Sequence, residues 1–310
     1  MSRGLGDVYK RQGEEGGIKY PNYPWLKEKS SIKKVEIGQV IKPVSTAYWT
    51  AYLENMESGD FTNLDTSDVT DMEGMFLHTG TSGYIKTFNL IGVSEFDVSN
   101  VTNMLTVFLG SGNSATTWNI GDLSNWNVSN VTEMAAMFSG AAINATSFNI
   151  GNLSNWNVSK VTDMTEMFSN IDDNGSPGQQ KEWYVGNISN WNTQNVTSML
   201  NMFSRVGYNV DNFNLDLSNW NTSKVTDMSY MFYEAGYNST TFNLNLSGWN
   251  MSSVETLDGM FENAGYSATS WSVTIPKTTG SLTNTTSTWY GSSESTYASP
   301  DTGKSFTLAS

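Results

Sequence analysis

Apolar residues recur along this chain with two interleaved periods. Taking the Val of each Val-Thr step, or of its variant, as a phase mark, copies of one pattern sit at Val69, Val101, Val131, Val161, Val196, Val225 and Val254. After each mark apolar side chains fall at i, i+3, i+6 and i+7, as in Val131, Met134, Met137 and Phe138 or Val161, Met164, Met167 and Phe168. That spacing predicts one face of a two-turn helix. Ser129, Ser159 and Ser223 upstream and Asp71, Asp163 and Asp227 in the first turn suit a helix N-terminus. Gly110, Gly140, Gly207, Gly236 and Gly265 suit a left-handed cap at its end. The other half of each unit alternates in, out, in, as in Phe148-Asn149-Ile150 and Phe242-Asn243-Leu244, which predicts one short strand.

The marks are about thirty residues apart, a period that signals a solenoid of stacked units. Stacking places equivalent residues in columns. One reads Leu64, Phe96, Trp126, Trp156, Trp191, Trp220, Trp249, and with Met134, Met164, Phe138 and Phe168 it is the expected core. The predicted fold is α/β: about seven helix-strand coils, with a parallel sheet on one face and helices on the other. Residues 61–270 form the solenoid, 20–60 an N-terminal cap, and 271–310 a final strand, C-terminal cap and tail. The first twelve residues, MSRGLGDVYKRQ, share nothing with the repeats. They resemble a leader found on unrelated chains translated from metagenomic assemblies, so residues 1–19 are expected to be disordered or artefactual and the chain a fragment.

Composition narrows the function. A net charge of -14 disfavours nucleic acid and anionic membrane surfaces as partners. No apolar run is long enough to span a membrane. With no Cys and one His, His78, triads built on Cys or His have nothing to work with beyond that residue. The Asp71, Asp163 and Asp227 row fits capping better than catalysis. Asp172 and Asp173, in an insertion from Ile171 to Glu182, lack the fuller pattern of a calcium loop. No enzyme activity, metal or cofactor is expected. The many Asn-X-Ser/Thr triplets arise from the repeat itself and are expected to make turns and amide ladders.

The string LSNWNVSxVTxMxxMF resembles the repeat of BspA-like leucine-rich-repeat surface proteins, the Mycoplasma-type repeat domain of bacterial surface proteins and lipoproteins. The resemblance covers roughly residues 40 to 275. It implies a leucine-rich-repeat-like solenoid and a cell-surface or extracellular role in adhesion, with host or neighbouring-cell surface proteins or glycans as partners. A structural stalk, or less plausibly a carbohydrate-active enzyme on a coil scaffold, is the alternative. Within the array, the candidate binding residues are Trp183, Tyr184, Tyr208, Tyr237 and Tyr266. Tyr184 replaces the Asn found at the middle of most strands, at Asn89, Asn119, Asn149, Asn214 and Asn243. The other three tyrosines each stand twelve residues after a mark, so they should align along one rim.

Overall fold

The computed structural model describes residues 12–15, 18–21, 23–171, 177–276 and 306–308. Strands β1 (Gln12–Glu15) and β2 (Ile18–Pro21) form a separate antiparallel pair. The remaining strands are β3 (Lys34–Glu36), β4 (Ser58–Asp60), β5 (Thr87–Ile91), β6 (Thr117–Asn119), β7 (Ser147–Asn149) and β8 (Glu182–Tyr184). They continue with β9 (Asn212–Asp216), β10 (Thr241–Asn245), β11 (Ser270–Ile275) and β12 (Phe306–Leu308). Every pairing among them is parallel and joins equivalent residues of adjacent coils, for example Phe88 with Trp118 and Phe213 with Phe242. The expected parallel sheet is present, with Trp118 and Ile120 buried and Asn119 exposed between them.

The expected helices are not. Among the described residues there is no α-helix, only short 3-10 turns, and the fold is an all-β parallel solenoid of about seven coils. The α/β, leucine-rich-repeat-like reading is therefore corrected. The segment from Met134 to Ala141 shows what replaces the helix. Met134, Ala136, Phe138 and Gly140 donate their N–H groups to Asp163, Thr165, Met167 and Ser169 of the next coil, at 3.4, 2.7, 2.9 and 2.8 Å. Met137, Ser139 and Ala141 instead donate three residues back, to Met134, Ala136 and Phe138, at 3.3, 3.2 and 3.1 Å. Consecutive turns thus alternate with a ladder between coils, whereas a helix would send every N–H four residues back.

That geometry needs left-handed residues at fixed places. The fifth residue after each mark is one: Gly74, Thr106, Ala136, Glu166, Asn201, Tyr230 and Gly259 have φ between 51 and 60°. Each non-glycine there costs about 1–2 kcal/mol. The cost is offset because seven of the eight N–H groups from Met134 to Ala141 find a backbone partner, four of them in the neighbouring coil, while a free two-turn helix is below the length that holds itself together. The glycines expected as helix caps do take positive φ, from 56° at Gly265 to 64° at Gly110, but they serve this turn line.

A second parallel column of single bridges runs Asp71, Asn103, Glu133, Asp163, Ser198, Asp227, Thr256. Here Asp71, Asp163 and Asp227 accept the N–H groups of Glu73, Thr165 and Ser229 at 3.1, 2.8 and 2.8 Å. They cap turns rather than helices. The Asn-X-Ser/Thr triplets work similarly: Asn127 accepts from Ser129 N–H at 3.2 Å, and Asn130 Nδ2 donates to the Ser99 carbonyl at 2.7 Å.

Between these walls the core is a set of columns. Trp126, Trp156, Trp191 and Trp220 stack at 6.0 to 6.4 Å with nearly parallel rings. Met134, Met164, Phe138 and Phe168 lie fully inside, and Trp249 continues the indole column. Coil geometry also reaches back into the segment assigned to the cap: Ser45 bridges Asp71, and Tyr48 and Tyr52 have φ of 58 and 60°. Over this first coil Tyr23 and Trp25 stack at 4.7 Å and donate to the carbonyls of Ala47 and Trp49, closing an end that would otherwise expose core. Asp172, Asp173, most of the expected C-terminal cap and tail, and most of the leader lie outside the described residues.

Candidate recognition site

The strand column is where the repeat changes. In the coils carrying β6, β7 and β8 the strand is followed by a left-handed glycine: Gly121, Gly151 and Gly186 have φ of 84, 90 and 74°. Asn119 and Asn149 steady this bend by accepting the N–H of Gly121 and Gly151 at 3.1 and 3.0 Å. Tyr184 occupies the same place before Gly186 and has no amide oxygen with which to do so. From β9 onward the glycine is gone and the strand runs straight on through Leu215 and Asp216. Tyr184 stands seven residues before Trp191, whereas Asn214 stands six before Trp220.

At this change of coil type the ladder opens. Among the described residues no backbone hydrogen bond joins β8 to β9. Thr241 N–H donates back to the Asp211 carbonyl, so by the same register the amides of Asn212 and Asn214 point toward β8. Trp183 meets Phe168 and Phe203 edge to face at 6.1 and 6.3 Å, while Phe213 stacks flat on Phe242 at 4.9 Å. Elsewhere the same two coils remain clamped: Met199 N–H reaches the Asp227 carbonyl at 2.9 Å, and Trp220 Nε1 reaches Ile188 at 2.8 Å. The ladder is also interrupted between β6 and β7, but there Trp118 and Phe148 still stack at 5.5 Å.

The opening is a cleft of about 800 Å3 whose walls include Asn149, Lys181, Tyr184, Asp211, Asn212 and Asn214. A second hollow of about 480 Å3 shares Tyr184, Gly186, Asn214 and Leu215 with it and runs on to Asn187 and Asp216. Tyr184 is 48% exposed at their junction. Of the candidate residues, Trp183 and Tyr184 belong to this cleft. Lys181, Asp211, Asn212 and Asn214 are not among the binding residues expected from sequence. The change of spacing from seven to six residues was the signal available for them.

Tyr208, Tyr237 and Tyr266 form a separate column, stacked at 4.8 Å per step with nearly parallel rings. They do align along one rim, and none of them lines the cleft. Burial pushes the Tyr208 and Tyr237 phenols above their ordinary value. Their faces are largely taken up by one another, with Tyr266 half exposed at the end of the row. Beside them Arg205 pairs with Glu234 at 2.8 Å and lies over the Tyr233 ring at 5.2 Å.

His78 is partly buried in the turn line, with φ of 47° and its ring against Tyr52 at 5.6 Å. Among the described residues no group of three or more His, Cys, Asp or Glu is placed to hold a metal ion. No helix among them is long and apolar enough to cross a membrane.

These features define a parallel β-solenoid built of coils of two lengths, with a cleft where they meet. Residues 45–178 and 178–274 match a family described as Mycoplasma protein of unknown function, DUF285, and the chain belongs to it. No curated protein and no solved structure matches the chain.

Proposed function

We propose that the protein is a non-catalytic recognition module of the bacterial cell surface or extracellular space, which binds surface proteins or glycans of host or neighbouring cells through the flank carrying Tyr184. One observation carries this reading. At the single position where the Asn row gives way to an exposed aromatic, the strand ladder opens beside it into a cleft. The substitution forfeits a turn bond that Asn119 and Asn149 make, and such local losses concentrate at functional sites. The resemblance of the repeat string to BspA-like surface proteins supports the location. The scarcity of His and Cys supports a role without chemistry.

A stalk role is the second reading, favoured by the ring columns that run through the array. The two are separated by probing a panel of immobilised matrix proteins and glycans with the wild type and with Tyr184→Asn. A recognition module gives at least one bound species that the variant loses. A stalk gives none, and that result would overturn the proposal.

A further inference from the structure

The walls of the Tyr184 cleft point to a class of ligand, an inference that rests on the recognition role above. Tyr184 offers an exposed aromatic surface at the junction of the two hollows. Around it Asn149, Asn212 and Asn214 are carboxamides, which both donate and accept. The backbone amides of Asn212 and Asn214 add donors that the strand ladder leaves unused. The apolar wall residues Val185, Phe213 and Leu215 are buried in the core and offer no deep greasy pocket for a protein anchor. Charges of both signs line the cleft, Lys181 with Glu182 and Asp211, on a chain of net charge -14, which disfavours a polyanion.

An extended peptide is also a poor fit. Inserting a strand between β8 and β9 needs two strand spacings, roughly 9.5 Å. The Trp191 and Trp220 rings, 6.0 Å apart just beyond the strands, and the Met199–Asp227 bond hold these coils at one spacing. What remains is a ligand dense in hydroxyls, with an apolar face and no net charge. We propose that the cleft binds a neutral oligosaccharide, with one pyranose ring against Tyr184 and its hydroxyls bonded to Asn149, Asn212 and Asn214. The adjoining hollow at Asn187 and Asp216 takes the next sugar along the chain. Both volumes lie in the usual range of small-molecule sites, roughly 300–1,000 Å3.

The test is calorimetric titration of the whole chain with maltohexaose, cellohexaose, mannohexaose and chitohexaose. A heparin hexasaccharide serves as the anionic control, beside the immobilised matrix-protein panel. At least one neutral hexasaccharide should bind with little dependence on salt. Tyr184→Ala and Tyr184→Asn should each weaken it by about tenfold or more, while Tyr184→Trp retains it. Tyr184→Asn restores the residue of the neighbouring coils, so it keeps the fold and separates lost binding from lost structure. Binding of heparin alone, or sugar binding unchanged in both variants, would overturn the proposal. Tyr184-dependent capture of a matrix protein with no sugar bound would also overturn it, yet leave the recognition role standing. Absence of both would remove the two together.

Discussion

The indole N–H of Trp156 donates to the carbonyl of Leu123, one coil earlier, at 3.0 Å. The same bond recurs from Trp126 to Val93, Trp191 to Leu153, Trp220 to Ile188 and Trp249 to Leu217. A tryptophan in this column therefore does two jobs: its ring fills the core, and its N–H ties its coil to the one before.

The two jobs can be separated at Trp156. Trp156→Phe keeps a ring, as Phe96 does in its own coil, and leaves the Leu123 carbonyl with the Trp126 backbone N–H at 3.1 Å. It should cost about 1 kcal/mol, the net worth of one hydrogen bond. Trp156→Ala also opens a cavity and should cost about 3–5 kcal/mol. Because coupling runs between neighbours, exchange of backbone amides should quicken in the coils on both sides. An unchanged urea midpoint for Trp156→Phe would show that the N–H contributes nothing, and equal losses for the two variants would show that the ring adds nothing beyond it.

At the strand column, Tyr184→Asn should raise stability by about 0.5–1.5 kcal/mol, because the amide oxygen regains the turn bond to the Gly186 N–H that Asn149 makes with Gly151. A lower Tm for this variant would contradict the view that Tyr184 is retained at a structural cost.

The open ladder has its own signature in hydrogen exchange. Amides of Asn212 and Asn214, which face β8 without a partner there, should exchange much faster than those of Thr241 and Asn243, one coil on. Equal protection would mean that β8 and β9 are paired in solution.

Acid should loosen the N-terminal coils first. Asp65 and Asp97 occupy the turn position held by Asn127 and Asn157 further on. Hydrogen bonds from the side chain and backbone N–H of Ser67 and Ser99 hold their carboxyls below the ordinary value of 3.8. A depressed folded pKa means that their contribution is present above that value and is lost as pH falls through the folded pKa. Asn accepts the same backbone bond without titrating, as Asn127 does from Ser129 at 3.2 Å. The Asp65→Asn, Asp97→Asn double variant should match the wild type in Tm near pH 7 and exceed it near pH 3. A wild type more stable than the variant in acid would reverse the sign.

Much of this molecule is legible in its sequence. The Val marks give the period, and the in-out-in triplets give the strands, because alternation is a direct readout of a pleated surface. The Trp and Phe columns follow once units are stacked. The helix misreading has a definite origin. Consecutive turns bring Met134, Met137 and Phe138 to one side much as a helix would, so apolar spacing alone does not distinguish the two. The cue lay in backbone preference: Gly74 and Gly259 sit in the middle of the supposed helix, where glycine is a poor helix former. The Tyr184 cleft was visible only as a break in the Asn row and a change of spacing beside it. Its opening depends on register between two coil types, and no single coil carries that information.

Cleft, rim and columns all depend on the coil being strands and left-handed turns, and Ala136 tests that most directly. It stands in the middle of the segment whose apolar spacing predicts a helix, yet its φ is 51° and its equivalents include Gly74 and Gly259. In a helix, Ala136→Gly would cost about 1 kcal/mol; in a left-handed turn it relieves strain and should raise stability by about 1 kcal/mol. The measurement is the urea midpoint of Ala136→Gly against wild type. A higher midpoint is the result this structure predicts, and a lower one would contradict it.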